Sequence, residues 1–180
     1  MMTPAVRTDR GFSLIETMIA MGILAVGLLG AAGVLTAGMK RLAGSPAQVI
    51  ATQKAAEAIE SVFAARDSHV LTWAQIRNVQ GASGADGGVF LDGPQPLRTP
   101  GPDGLVNTAD DGPIETVTNP GPDGRFGTAD DQQIPLTSYT REIQIRDVEP
   151  DLRQITVIVT YQDGTGQRQY VLTSYISNYS

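Results

Sequence analysis

Asp9-Arg10-Gly11-Phe12-Ser13-Leu14-Ile15-Glu16-Thr17-Met18-Ile19-Ala20 leads into an apolar run whose reading decides the fold. Over residues 12–39 the only charged side chain is Glu16, and Leu, Ile, Val, Ala, Met and Gly fill most positions until Lys40 and Arg41. Wound as a helix at about 1.5 Å per residue, the run is roughly 42 Å long. That exceeds the hydrocarbon core of a bilayer, about 30 Å thick. Helices in soluble cores seldom stay uncharged for so long. A secretory signal peptide has an apolar region of only about 7–15 residues ending at a small-residue cleavage site. Flanking charge does not orient the run, because Arg7 and Arg10 on one side are balanced by Lys40 and Arg41 on the other.

Beyond the basic pair, Gly44 loosens the chain, and Ser45-Pro46-Ala47-Gln48 reads as a capping box with Pro at the first helical position. A helix can restart here. Val49, Thr52, Ala56, Ile59 and Phe63 recur at spacings of three and four, with Lys54, Glu57 and Glu60 elsewhere. The pattern predicts an amphipathic helix, ending near Ala65, that lays one side against a globular domain. Residues 139–148, 152–161 and 167–176 alternate with a period of two: Ile155, Val157 and Val159 face one way, and Thr156, Ile158 and Thr160 the other. Glu149-Pro150-Asp151 and Asp163-Gly164-Thr165-Gly166 supply the turns of an antiparallel meander. The expected fold class is therefore α+β. A long N-terminal α-helix, transmembrane in its first half, packs on a small antiparallel β-sheet of about three to four strands.

Between helix and meander, residues 81–133 are rich in Gly, Pro, Asp and Thr, a composition for turns and irregular loop rather than a packed layer. This insert holds nine acidic residues against two arginines, and so accounts for the net charge of −6. It contains a repeat. Pro100-Gly101-Pro102-Asp103-Gly104-Leu105-Val106-Asn107-Thr108-Ala109-Asp110-Asp111 recurs twenty residues later as Pro120-Gly121-Pro122-Asp123-Gly124-Arg125-Phe126-Gly127-Thr128-Ala129-Asp130-Asp131, with nine of twelve positions identical. Calcium takes six to eight oxygen ligands in loops bent by glycine. Asp103, Asn107, Asp110 and Asp111 offer one candidate shell, and Asp123, Asp130 and Asp131 another. The spacing is not that of an EF-hand, although such Asp-Gly loops resemble calcium-stabilised repeats of bacterial surface proteins. The competing reading is a solvated acidic linker whose Asp side chains only form turns with their own backbone. Composition leaves both open.

The segment from Asp9 to Ala20 resembles the processing signature of type IV pilins and type II secretion pseudopilins. The resemblance implies cleavage by a prepilin peptidase between Gly11 and Phe12, N-methylation of Phe12, and use of Glu16 in subunit assembly. Residues 22–30 and 51–60 resemble the V-type minor pilins. Two features depart from many major pilins: no proline interrupts residues 12–39, and with no cysteine in the chain no disulfide closes a C-terminal loop. The implied organisation is a leader at 1–11, a transmembrane and assembly helix at 12–41, its amphipathic continuation at 42–67, and a head at 68–180 that includes the insert at 81–133 and a meander at 139–178. The implied setting is the bacterial inner membrane, crossed once, with a periplasmic head that later joins a pilus or the cell surface. Expected partners are other pilin subunits, the peptidase and the membrane.

Three functions follow from this reading. A minor type IV pilin comes first, a minor pseudopilin of type II secretion second, and a single-span membrane protein bearing a calcium-binding adhesive module third. An enzyme is not expected. The lone His69 has no cysteine, nucleophile elbow or phosphate loop to work with. No basic stripe with interleaved aromatics supports direct nucleic-acid binding. Trp73 reads as a core residue.

Overall fold

A computed structural model describes residues 13–80, 87–164 and 166–179, without the side chains of 40–45. Helix α1 is Leu14–Asp67, 54 residues with Pro46 inside it. The separate helix start expected at Ser45-Pro46 is not found, since helical backbone runs through both positions. The chain divides into two compact units, Met1–Leu42 and Ala43–Ser180.

In the first unit Leu14–Met39 is long and apolar enough to cross a membrane, and none of it is buried within the chain. The Ser13 carbonyl accepts the amides of Glu16 at 3.0 Å and Thr17 at 3.2 Å. Thr36 donates its hydroxyl to the Ala32 carbonyl at 2.8 Å, which removes a donor that hydrocarbon would leave unsatisfied.

In the second unit α1 presents a face of small side chains. Ala51, Ala55, Ala58, Ile59, Val62 and Ala65 are buried, at three- and four-residue spacings. The expected face holds at Ile59 and, in part, at Phe63, which packs half-buried against the core, and fails elsewhere. Val49 is 62% exposed, and Ala56 and Phe63 are only partly buried. Both sets satisfy helical periodicity, and the alanine set is the one enclosed in the hydrophobic cluster.

Among the described residues six strands follow: β1 (Gln95–Pro96), β2 (Thr116–Asn119), β3 (Gln132–Pro135), β4 (Thr140–Glu149), β5 (Leu152–Asp163) and β6 (Gly166–Ser177). The main sheet has the order β1-β4-β5-β6 and is antiparallel throughout, while β2 and β3 form a separate antiparallel pair. The meander is as the alternation predicts: Ile143 and Ile145 of β4 and Ile155, Val157 and Val159 of β5 are fully buried. These side chains share one hydrophobic cluster with the alanine face of α1. Helix and sheet are also tied by the Arg66 guanidinium, which donates to the Ser177 carbonyl at 2.9 Å.

The insert departs from its expected irregularity. It contributes β1, β2 and the buried side chains Phe90, Leu97, Leu105 and Val106. A few apolar residues scattered among turn formers suffice because each lands on the same core.

Two arginines occupy inward positions of the meander. Arg153 on β5 donates to Asp147 at 2.7 Å and to the carbonyls of Ile76, at 2.9 Å, and Trp73. Its guanidinium lies over the Trp73 ring, 4.0 Å from the centroid. Trp73 is thus a half-buried lid on a buried charge, and its indole N–H reaches the Pro150 carbonyl at 3.2 Å. Arg141 on β4 is fully buried. Its Nε donates to Asn107 Oδ1 at 2.8 Å, and its Nη1 lies 3.8 Å from Glu115 Oε1. Glu115 in turn meets Lys54 of α1 at 2.6 Å. The result is a buried polar chain that joins helix, insert and sheet.

Past β1, a side chain engages the edge of β4. Asn78 donates to the Ile143 carbonyl at 2.8 Å and accepts the Ile145 amide at 2.9 Å. Asn78→Ala leaves both backbone groups buried without these partners, at about 1–3 kcal/mol for each group. The expected result is a lower melting temperature of the full chain in detergent, read by circular dichroism. Burial opposes the charge on Lys54, but its hydrogen bonds to Glu115 and Glu57 outweigh that and raise its pKa above the ordinary lysine value. A raised folded-state pKa adds stability that is complete below the unfolded pKa, about 10.4, and is lost as pH rises through the folded value. Thermal unfolding should therefore lose more stability above about pH 10.4 in the parent chain than in Lys54→Met.

Candidate functional site

Gly11 and Phe12, the expected cleavage pair, lie outside the described residues. Glu16 is described. It stands in the first turn of α1, the acidic residue of that turn, where a carboxylate suits the helix dipole. The side chains from Ser13 to Met39 are all exposed, so Glu16 begins an apolar rod that nothing in its own unit covers. Among the described residues no ion pair involves it.

The two acidic repeats adopt one loop geometry. The Gly104 and Gly124 amides close matching turns onto the Gly101 and Gly121 carbonyls, each at 3.0 Å. Asp103 accepts the Leu105 amide at 2.9 Å and Asp123 the Arg125 amide at 2.8 Å. Asp111 accepts the Asn107 amide at 2.8 Å and Asp131 the Gly127 amide at 2.7 Å. Asp110 and Asp130 accept the hydroxyls of Thr108 and Thr128 at 2.9 and 2.6 Å. A Cβ at Gly101 or Gly121 would stand 2.7 or 2.1 Å from these same Asp110 and Asp130 carboxylates. Glycine is the residue that allows this approach. The left-handed residue is also shared, with φ of 61° at Asn107 and 83° at Gly127.

The carboxylates thus serve their own turns first. Among the described residues no group of three or more acidic or histidine side chains is disposed to hold a metal ion. Asp131 Oδ1 is nonetheless buried with no hydrogen-bond partner. The copies differ in their setting. Leu105, Val106 and Asn107 are buried in the head, and Asn107 both accepts from Arg141 Nε and donates to the Arg141 carbonyl at 2.7 Å. Arg125, Phe126 and Gly127 are exposed. His69 lies just past α1 at φ 59° and is exposed, with Nδ1 3.2 Å from the Asp67 carbonyl.

The sequence reading missed the chain from Lys54 through Glu115 and Arg141 to Asn107. A signal was present, since Arg141 and Arg153 fall on the inward phase of their strands beside Ile143 and Ile155. A charge on a buried phase demands buried partners.

Residues 6–32 match the family described as Prokaryotic N-terminal methylation motif. No curated protein and no solved structure matches the chain. The matched segment contains Gly11, Phe12 and Glu16 and enters the exposed apolar helix, a combination that suggests membrane anchoring. Such a motif implies processing by a prepilin peptidase and assembly with pilin subunits, and it is consistent with a type IV pilin-like protein, a pilin or a pseudopilin.

Proposed function

We propose that the chain is a minor type IV pilin, cut between Gly11 and Phe12, N-methylated on Phe12, and assembled into or priming a pilus through its N-terminal helix. The observation that carries the proposal is Glu16, alone at the head of an apolar helix that its own unit does not cover. A carboxylate in the membrane costs about 2.5–3.5 kcal/mol on insertion scales, so it needs a partner. Cleavage supplies one in the new amine of Phe12. When a neighbouring subunit brings that amine to about 4 Å at an effective dielectric near 20, the gross attraction is about 4 kcal/mol before desolvation. The charge pair then sets axial register, while apolar packing holds the helices together.

The head would stand in the periplasm before assembly, and the filament would serve motility, attachment or DNA uptake. The minor assignment rests on the uninterrupted residues 12–39, the lack of cysteine, and the V-type resemblance of residues 22–30 and 51–60. A structural rather than enzymatic role fits a head in which the buried Arg141 and Arg153 bond to groups of other segments and so join its layers. A minor pseudopilin of type II secretion uses the same residues, and isolating the filament that contains the chain separates the two. A single-span protein with an adhesive module would keep its leader.

Mass spectrometry of the chain recovered from membranes should find N-methylphenylalanine at position 12 as the first residue. An uncut leader in cells that hold an active prepilin peptidase contradicts the proposal. Glu16→Gln should leave cleavage intact and sharply reduce recovery in sheared filaments, and undiminished recovery would count against the register role.

Calcium bound by the repeats is a separate proposal. Asp131 Oδ1, buried and without a hydrogen-bond donor, is the oxygen a cation would engage beyond the turn-capping bonds. A ligand that binds only the folded state raises stability. Titration to millimolar calcium should therefore raise the melting temperature of the full chain in detergent, and Asp131→Asn should blunt the rise. An unchanged melting temperature removes calcium from the account.

A further inference from the structure

The two acidic loops are one frame with two different tips. Nine identical positions build the same turns in both, and the three that differ are contiguous: Leu105, Val106 and Asn107 against Arg125, Phe126 and Gly127. In the first copy these three positions are the ones buried in the head. In the second they face outward on the β2–β3 hairpin, with Phe126 70% exposed. The second tip is no spare for the first socket. Arg125 would bring a charge where Leu105 is buried, and Gly127 has no side chain to meet Arg141. A frame kept intact while its contact residues change marks a contact element for a different socket.

A socket of fitting chemistry lies on the head. A groove of about 430 Å³ runs between α1 and the first repeat. Ala64, Pro100 and Val106 give it apolar surface, and Glu57 and Glu60 give it carboxylates. Lys54, the groove's own cation, is already paired with Glu57 and Glu115. An aromatic ring beside a guanidinium suits this groove in both polarity and sign of charge. Of the second loop's carboxylates, Asp123 and Asp131 accept their own loop amides and Asp130 the Thr128 hydroxyl, which leaves Arg125 as the tip's cation. Phe126 does not line the groove of its own chain.

We infer that Phe126 of one chain seats in the groove of a second copy, with its Arg125 against Glu57 and Glu60. The contact is heterologous, tip to groove, so repetition extends a row of heads instead of closing a dimer. It adds a head-to-head contact to the helix-based assembly proposed above and does not depend on the filament's task.

The chain has no cysteine, so introduced pairs report without background. Two differently tagged full-length chains, one Phe126→Cys and one Ala64→Cys, are co-expressed and their membranes oxidised. A mixed disulfide dimer should form that requires both cysteines, and adding Arg125→Glu should cut its yield several-fold. Pairing Phe126→Cys with Thr173→Cys on the exposed side of β6 should give no dimer. The inference is overturned by a yield no higher than that control, by indifference to Arg125→Glu, or by capture of another protein in place of the second copy. N-terminal processing is read by mass spectrometry on the same membranes. A missing head contact is thereby distinguished from failure of the pilin reading.

Discussion

A helix that is apolar on every side has no soluble resting place, and the other features of this protein follow from that constraint. Among the described residues nothing buries Leu14–Met39. Lipid or the helices of other subunits must provide cover. The same absence means that the head needs a core of its own. It builds one by laying the alanine stripe of α1 into the hydrophobic cluster of β4 and β5, without help from any disulfide.

The head is small, and apolar burial from one helix and a meander is limited in a domain of this size. The insert enlarges that core with Phe90, Leu97, Leu105 and Val106, and its docking is specified by buried polar groups rather than by bulk. Arg141 is enclosed at the point where β4, the first repeat and the loop bearing Glu115 meet. A buried guanidinium is costly unless several acceptors surround it. Asn107 and the Arg98 carbonyl at 3.5 Å accept from it, and Glu115, 3.8 Å from Nη1, adds charge without a hydrogen bond, so that Nη1 has no hydrogen-bond partner among the described residues. Burial holds the pKa of Arg141 below its usual value, with Glu115 pulling the other way. The arrangement accepts one placement of the insert and penalises others. A strongly acidic segment can therefore belong to a folded head.

Duplication explains the unusual composition. Pro, Gly, Asp and Thr recur because each repeat makes the same turns and needs the same short acceptors for its amides. Selection for a loop frame thus leaves a signature close to that of a calcium repeat, and composition alone does not separate the two. Side chains at three positions decide whether a copy is part of the core or part of the surface.

Local and periodic information was legible before any coordinates. Length and apolarity over residues 12–39 point to a helix able to cross a membrane, because lipid tests those properties one segment at a time. Alternation in 139–176 specifies the meander because strand pairing between sequence neighbours needs no distant partner. The Gly11, Phe12 and Glu16 pattern is contiguous, so it too could be read directly. Tertiary structure alone decided which helical face is buried, because the alanines and the bulkier residues share one period and only the surface that packs on them tells them apart. It also decided that the insert joins the core, and that Arg141 meets Asn107 from 34 positions away. Contacts between distant residues depend on how the chain returns on itself, and no local pattern encodes that.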